Sequence, residues 1–373
     1  MEMIAQTSKK PPATGSQRLD VLQILRAAAA AMIVALHAHA NWEFSLFPLP
    51  TTKLGAGVDL FFVISGFVIV YASRPYFATP GGRSAFFLRR LIRILPLYWF
   101  ALTLRLVALA AAAFLGVKAF PSLQAILTSY FFIPQDSMGY GDAYPFPILD
   151  LGWTLNYEMF FYVVFAFFIV LPLERAVWAT AGTLSAGVLI GAVFDLALPF
   201  SFWLQPIVLE FVAGMVLAVL FLRGLRLPAV IGFAAAVSGL AIWALVDLSM
   251  FESYGNPGFY SFARLFVLGG GAILLMVAAT LTRGITLPRV AQPLAALGDS
   301  SYALYLLHPF IFLGFKGALG ALALPQAWNN GVYLAVVVST IAIAHAFHRF
   351  VEMPTTAWLR DRIIAPRTKI AVS

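Results

Sequence analysis

The sequence predicts an all-α, polytopic integral membrane protein with about ten transmembrane helices and both termini cytoplasmic. Three observations carry that prediction. Only 11% of the 373 residues are charged while 61% are hydrophobic, and the mean hydropathy is +0.90. A water-soluble globule carries about 25% charged residues, so most of this surface faces something other than water. Apolar stretches of roughly 17–25 residues, the length a bilayer core demands, recur along almost the whole chain. The basic residues fall on one side of those stretches.

In chain order, spans are expected near 21–40, 57–73, 94–116, 152–172, 176–195, 203–222, 229–248, 260–281, 302–322 and 330–351. The second is short and bounded by glycine. Residues 123–135 are too short to cross and are expected to lie at the interface or re-enter. With the N-terminus inside, 18 of the 24 Lys and Arg residues fall on the inner side. Only Lys53, Lys118 and Lys316 fall outside, and Arg26, Arg105 and Arg264 lie within spans. Adding or losing one span would scramble this asymmetry, which is the positive-inside pattern. Residues 1–17 read as a disordered cytoplasmic tail, 18–353 as the transmembrane domain and 354–373 as a second cytoplasmic tail. Ala38-His39-Ala40 resembles a small-residue cleavage site. Arg26 interrupts the apolar region before it, so a retained first span is expected rather than a signal peptide. Gly187 and Gly191, four apart, fit close helix packing.

Composition also excludes chemistries. Cysteine is absent, which removes disulfide scaffolds, thiolate catalysis and Cys-based zinc sites, and no metal is expected. The net charge of +8 is read as topogenic loops rather than as a nucleic-acid surface. A transporter would show inverted repeats with paired broken helices, and no such symmetry is present.

Ionisable groups inside spans invite functional readings, since a charge at the bilayer centre costs about 2.5–3.5 kcal/mol on insertion scales. Arg26 and His37 are eleven residues apart, three turns plus about 20°, so they share one helix face roughly 16 Å apart. The pair suits a substrate threading the bilayer from the cytoplasm: Arg can hold a phosphate or carbonyl by forked hydrogen bonds, and His can take a proton from a hydroxyl. A snorkelling Arg and a hydrogen-bonded His would give the same pattern. Asp59, entering the second span after Gly55 and Gly57, could orient His37 or could cap its own helix. Glu158, about two turns into the fourth span with Tyr162 at i+4, needs a partner; Arg105, Arg26 and His37 are candidates, and helix-packing glue is the alternative. Arg89, Arg90 and Arg93 precede Pro96 at the inner face, where they serve topology and anionic lipid or would hold a nucleotide-bearing donor. His308, before Pro309, could be structural or line the donor route. His345, His348 and Glu352 share a face, and a Glu352–Arg349 or Glu352–His348 pair is expected there rather than a metal.

These motifs, taken in order, resemble the membrane acyltransferase 3 family. Leu22-Gln23-Ile24-Leu25-Arg26-Ala27 with His37 is similar to its first-helix signature, and Gly57-Val58-Asp59-Leu60-Phe61-Phe62-Val63-Ile64-Ser65-Gly66-Phe67 to its second. Arg89-Arg90-Leu91-Ile92-Arg93-Ile94-Leu95-Pro96 resembles the basic loop, and Trp153-Thr154-Leu155-Asn156-Tyr157-Glu158-Met159-Phe160-Phe161-Tyr162 the Trp…Glu…Phe-Tyr block. Leu297-Gly298-Asp299-Ser300-Ser301-Tyr302 through His308-Pro309, and Arg349-Phe350-Val351-Glu352-Met353-Pro354, fit the last two helices. The likeness runs from 18 to 360. Gln23, where many relatives have Leu-Asp-Gly-Leu-Arg, and the Asn-Tyr-Glu-Met run look most like the succinoglycan-type exopolysaccharide O-acetyltransferase branch.

The resemblance implies a bacterial inner-membrane enzyme that moves an acetyl group from cytoplasmic acetyl-CoA to a hydroxyl of an exopolysaccharide or its lipid-linked repeat unit. It implies that Arg26, Arg90 and Arg93, with His308 on the donor route, bind the donor. His37 would be general base or transient acyl carrier, Asp59 would orient it and Glu158 would support the site. Partners would be the acyl-CoA, a carbohydrate acceptor and membrane lipids, with a homo-oligomer open and no nucleic acid. A lipid, antibiotic or other glycan acceptor is the alternative within the same chemistry, and a transporter the alternative outside it.

Overall fold

The computed structural model describes residues 14–42, 51–137, 145–247, 261–284, 291–320, 322, 325 and 328–364. The helices are α1 (Thr14–His39), α2 (Ala56–Ala72), α3 (Gly82–Phe114), α4 (Leu123–Tyr130), α5 (Trp153–Phe168), α6 (Leu173–Val193), α7 (Phe200–Trp203), α8 (Leu209–Leu222) and α9 (Ala229–Leu245). After them α10 (Phe262–Arg264) runs through a π-helical turn, Leu265–Gly269, into α11 (Gly270–Leu281). Then come α12 (Gln292–Asp299), α13 (Ser301–Gly320) and α14 (Asn329–Phe347), and α14 continues through the π-helical His348–Glu352 into α15 (Met353–Ile363).

Among the described residues, eight helical stretches are long and apolar enough to cross a membrane by length and composition: Asp20–His39, Lys53–Ala72, Gly82–Phe114, Asp150–Phe168, Leu173–Val193, Phe262–Leu281, Ser301–Gly320 and Asn329–Ile363. The other two expected spans coincide with shorter apolar helices, Pro206–Leu222 and Ala229–Leu245. The chain is thus an all-α, multi-pass membrane protein, with large apolar side chains such as Phe114, Phe167, Phe233 and Phe350 exposed on its flanks. Such a belt is tolerable only where the surrounding solvent is itself apolar.

Several boundaries differ from the expectation for local reasons. Helix α1 begins at Thr14, inside the segment read as a tail; residues 1–13 lie outside the described ones. Past Pro354 the chain stays helical to Ile363, with Pro354 the second residue of α15, directly after the π-helical turn His348–Glu352. The basic cluster is not a loop. Arg89, Arg90 and Arg93 sit in the first half of the 33-residue α3, which starts after Gly81 in the left-handed region at φ 73°. Arg93 lies four residues after Arg89 and three after Arg90, which places it on one side of the helix with both. Residues 123–130 form a single short helix, α4, capped by the Ser122 hydroxyl accepting from Ala125 N–H at 3.1 Å.

The centre of the bundle is the crossing of α2 and α8. A Cβ on Gly66 would stand 2.1 Å from the Phe211 carbonyl oxygen, and one on Gly214 would stand 2.1 Å from that of Val63. Only glycine allows the two backbones to touch in this way. Around the crossing, Phe62 and Phe161 each stack on Phe211 with ring centroids 4.6 Å apart, joining α2 and α5 to α8. Gly187 and Gly191 serve a lesser contact: both lie against Leu204, in the segment between α7 and α8, rather than against a facing helix.

Candidate active site

Five helices converge on one cavity. Arg26 comes from α1, Ser65 and Val68 from α2, Arg90 and Arg93 from α3, Glu158 and Tyr162 from α5, and Tyr302 and Tyr305 from α13. Two wider recesses adjoin it at the end where the basic residues collect, and Arg26 and Arg93 line all three. Arg89, Arg360, His348 and Glu352 line the mouth of one of them. An anionic ligand entering from that end would meet guanidinium groups first, in surroundings where few waters compete for their hydrogen bonds.

Inside, Glu158 accepts from the Tyr162 hydroxyl one turn along α5 and from the Ser65 hydroxyl at 3.4 Å. Of its expected partners, Arg26 lines the same cavity; Arg105 is about 18 Å further along α3 than Arg93 and does not line it. The Arg90 guanidinium lies over the faces of Phe86 and Tyr162, at 5.8 and 5.9 Å from the ring centroids. Aromatic faces favour a cation held flat against them, so Arg90 is pinned by rings while its edge stays available.

The far end of the cavity is closed by Phe61, Thr154 and Tyr305. The Tyr305 hydroxyl donates to the Leu151 carbonyl at 3.0 Å and meets the Thr154 hydroxyl at 2.9 Å. Beyond it stand His37 and His308, ring centroids 5.0 Å apart, with the Tyr305 ring 6.3 Å from that of His308. Each imidazole uses its Nδ1 on a carbonyl four residues back: His37 on Ile33 at 2.9 Å, His308 on Leu304 at 3.2 Å. A carbonyl only accepts, so each Nδ1 carries a hydrogen, which leaves Nε2 as the ring atom that can act as a base. Among the described residues nothing bonds the buried Nε2 of His308.

The structure corrects two expectations. Asp59 does not orient His37. Both of its oxygens accept from Arg264, Oδ1 from Nε at 3.1 Å and Oδ2 from Nη2 at 2.9 Å, in a fully buried fork. Glu210 is buried in the same cluster, on the α8 side of α2 and not on the cavity side. The physical reason is helix geometry: Val58, Phe61 and Phe62 turn toward the cavity, and the intervening Asp59 points about 100° away from Val58. His308 lies beside His37 rather than on the wall of the Arg-lined cavity. At the other end, His348 pairs with Glu352 at 2.8 Å, as expected.

Sequence reasoning missed Glu210, whose signal was a carboxylate in the apolar run 206–222, and did not connect Arg264 with Asp59. Two opposite charges in separate spans, each without a local partner, were the available cue. It also passed over Tyr305 and Ser65, which look like ordinary residues of apolar helices until the fold brings them to the cavity.

Arginines lining a cavity, with the half-buried His37 against the buried His308 beyond it, give a multi-pass helical bundle the means for group transfer. The acyltransferase 3 family, described as an acyltransferase domain, matches residues 19–349, and the chain belongs to that family. It is 34% identical over 309 residues to the exopolysaccharide production protein ExoZ of Rhizobium meliloti, covering 80% of this chain and 88% of that one. The acyltransferase MdmB of Streptomyces mycarofaciens is 24% identical, over 92% of this chain and 93% of its own. The peptidoglycan O-acetyltransferase OatA of Listeria monocytogenes is also 24% identical, over 88% of this chain but 54% of OatA. No solved structure matches the chain significantly.

Proposed function

We propose that this acyltransferase moves an acetyl group from cytoplasmic acetyl-CoA to a hydroxyl of an exopolysaccharide or its lipid-linked repeat unit, in the bacterial inner membrane. The observation that carries the reading is the order of groups along the bundle, from the basic mouth to the histidines behind the cavity's closed end. Arginines line the mouth and the cavity, Glu158 and two tyrosines line its wall, and the rings of His37 and His308, the latter with an unbonded Nε2, lie behind Tyr305. Likeness to the exopolysaccharide production protein favours the carbohydrate acceptor.

In this reading Arg26, Arg90 and Arg93 hold the phosphates and thioester oxygen of the donor by charge-assisted hydrogen bonds. Glu158, bonded to Tyr162 and Ser65, balances the arginines and keeps them apart. His37 Nε2 takes the proton of the acceptor hydroxyl as its oxygen attacks the thioester carbonyl; the C–S bond breaks and the imidazolium returns the proton to the thiolate. In the covalent variant Nε2 itself attacks, the thiolate leaves, and the hydroxyl then displaces the acyl group from the ring, its proton passing to His308 and on to the thiolate. In this reading His308, whose ring centroid is 5.0 Å from that of His37, shares the proton in either route.

The test is transfer of radiolabelled acetyl from acetyl-CoA into the polysaccharide fraction of membranes, with wild type and His37→Ala matched for expression. Wild type should incorporate label, and the variant should lose on the order of 10²–10⁴-fold in rate, the worth of a positioned acid–base group. Undiminished transfer by the variant would remove His37 from the chemistry. No transfer by folded wild type across a panel of polysaccharides would overturn the donor or the acceptor.

A further inference from the structure

Arg26 carries a long, flexible side chain into the cavity, and something must hold its head. Its Nη1 donates to Gln23 Oε1 at 3.0 Å, one turn back on α1. The other end of the same amide, Gln23 Nε2, donates to Asp299 Oδ1 at the end of α12 in a short hydrogen bond. The amide's direction is dictated from both sides: a guanidinium only donates and a carboxylate only accepts, so oxygen must face Arg26 and nitrogen must face Asp299. The contact is built into the packing. A Cβ on Gly298 would stand 2.0 Å from the Gln23 carbonyl oxygen, so α12 rests directly on the α1 backbone next to Asp299.

We infer that Gln23 and Asp299 are positioning residues that hold the Arg26 guanidinium at the cavity for the anionic or polarised part of the acyl donor. The inference rests on the reading of Arg26 as a donor-binding group. The carboxylate polarises the amide, the amide oxygen faces the guanidinium more strongly, and Arg26 keeps its remaining N–H groups for the ligand. Gln23 thus has a task that neither a carboxylate nor an apolar residue performs unaided. A Glu at 23 would meet Asp299 carboxylate to carboxylate, and a Met would leave both neighbours unbonded.

Four variants test this: Gln23→Met, Gln23→Glu, Asp299→Asn, and the double variant Gln23→Glu with Asp299→Asn. In the double variant the Asn amide donates to the new carboxylate, which accepts from Arg26, so the chain of bonds is restored with the charge moved one residue inward. Acetyl-CoA KM should rise about tenfold in Gln23→Met and Gln23→Glu, the equivalent of one charge-assisted hydrogen bond, with kcat changed less. The double variant should recover most of that KM. Melting temperatures of all four, in detergent, give a readout that needs no activity: the two double-variant substitutions should be non-additive. Additive melting shifts, or a double variant with a KM no better than Gln23→Glu, would overturn the relay. Coupled melting with unchanged donor KM in every variant of an active enzyme would overturn its positioning role. Should wild type fail to use acetyl-CoA, the proposed donor falls, and the relay stands or falls on the melting cycle.

Discussion

Arg264 shows what one residue does in this interior. Its guanidinium holds both oxygens of Asp59 and sits in a cluster that also buries Glu210, with side-chain exposure of 4% for Arg264 and none for Asp59. Removing one member of a buried ionic group leaves the others uncompensated, which costs about 3–5 kcal/mol. Arg264→Met should therefore destabilise the protein by about that much, because Asp59 loses the guanidinium from which both its oxygens accept. Asp59→Asn should cost less, since Glu210 remains to face the arginine. Denaturation in detergent measures both, and equal stability of Arg264→Met and wild type would show that the cluster contributes nothing to the fold. The same residue-scale logic separates the two kinds of buried charge in this chain. The Asp59 cluster is closed on itself, whereas Arg26, Arg90 and Arg93 face open space.

Among elements, the α2–α8 crossing sets the site. Helix α2 presents Val58, Phe61, Ser65 and Val68 to the cavity while its opposite side lies backbone to backbone on α8. A methyl group at Gly214 would meet the Val63 carbonyl at 2.1 Å, and neither partner is a side chain that can swing aside. Gly214→Ala should push α2 toward the cavity, lowering the melting temperature and the donor affinity together. Gly187→Ala, whose nearest atom is the flexible end of Leu204 at 2.8 Å, should be far milder. Comparing folded yield and melting of the two variants checks this; a milder effect at Gly214 would mean that the crossing is not rigid.

For the whole molecule, the charge asymmetry and the cavity lead to one prediction: the basic end, where the arginine-lined recesses open, should face the cytoplasm. Because the chain has no cysteine, single thiols can report this without background. A membrane-impermeant thiol reagent should label Lys118→Cys in intact spheroplasts. It should label Thr355→Cys, on α15, only after permeabilisation. The reverse pattern would invert the protein and place the arginines on the wrong side for a cytoplasmic donor.

By itself the sequence determined the class of fold, the approximate positions of the helices, the family and most of the polar residues at the cavity. Those properties follow from composition, from the length of apolar runs and from charges that a bilayer does not tolerate unless something uses or pairs them. Arg26, Arg90, Arg93, Glu158 and Tyr162 were all legible on that ground. Only the tertiary structure decided which charge met which. Asp59 could reach His37 on paper; rotation along α2 turns it instead to Arg264, 205 residues away in sequence. His308 joined His37, and Asp299 reached Gln23 across 276 residues, through helix packing that no local spacing specifies. The physical reason is that helical periodicity sets the face a residue occupies on its own helix, while the identity of the facing helix depends on how glycines and rings let the bundle close.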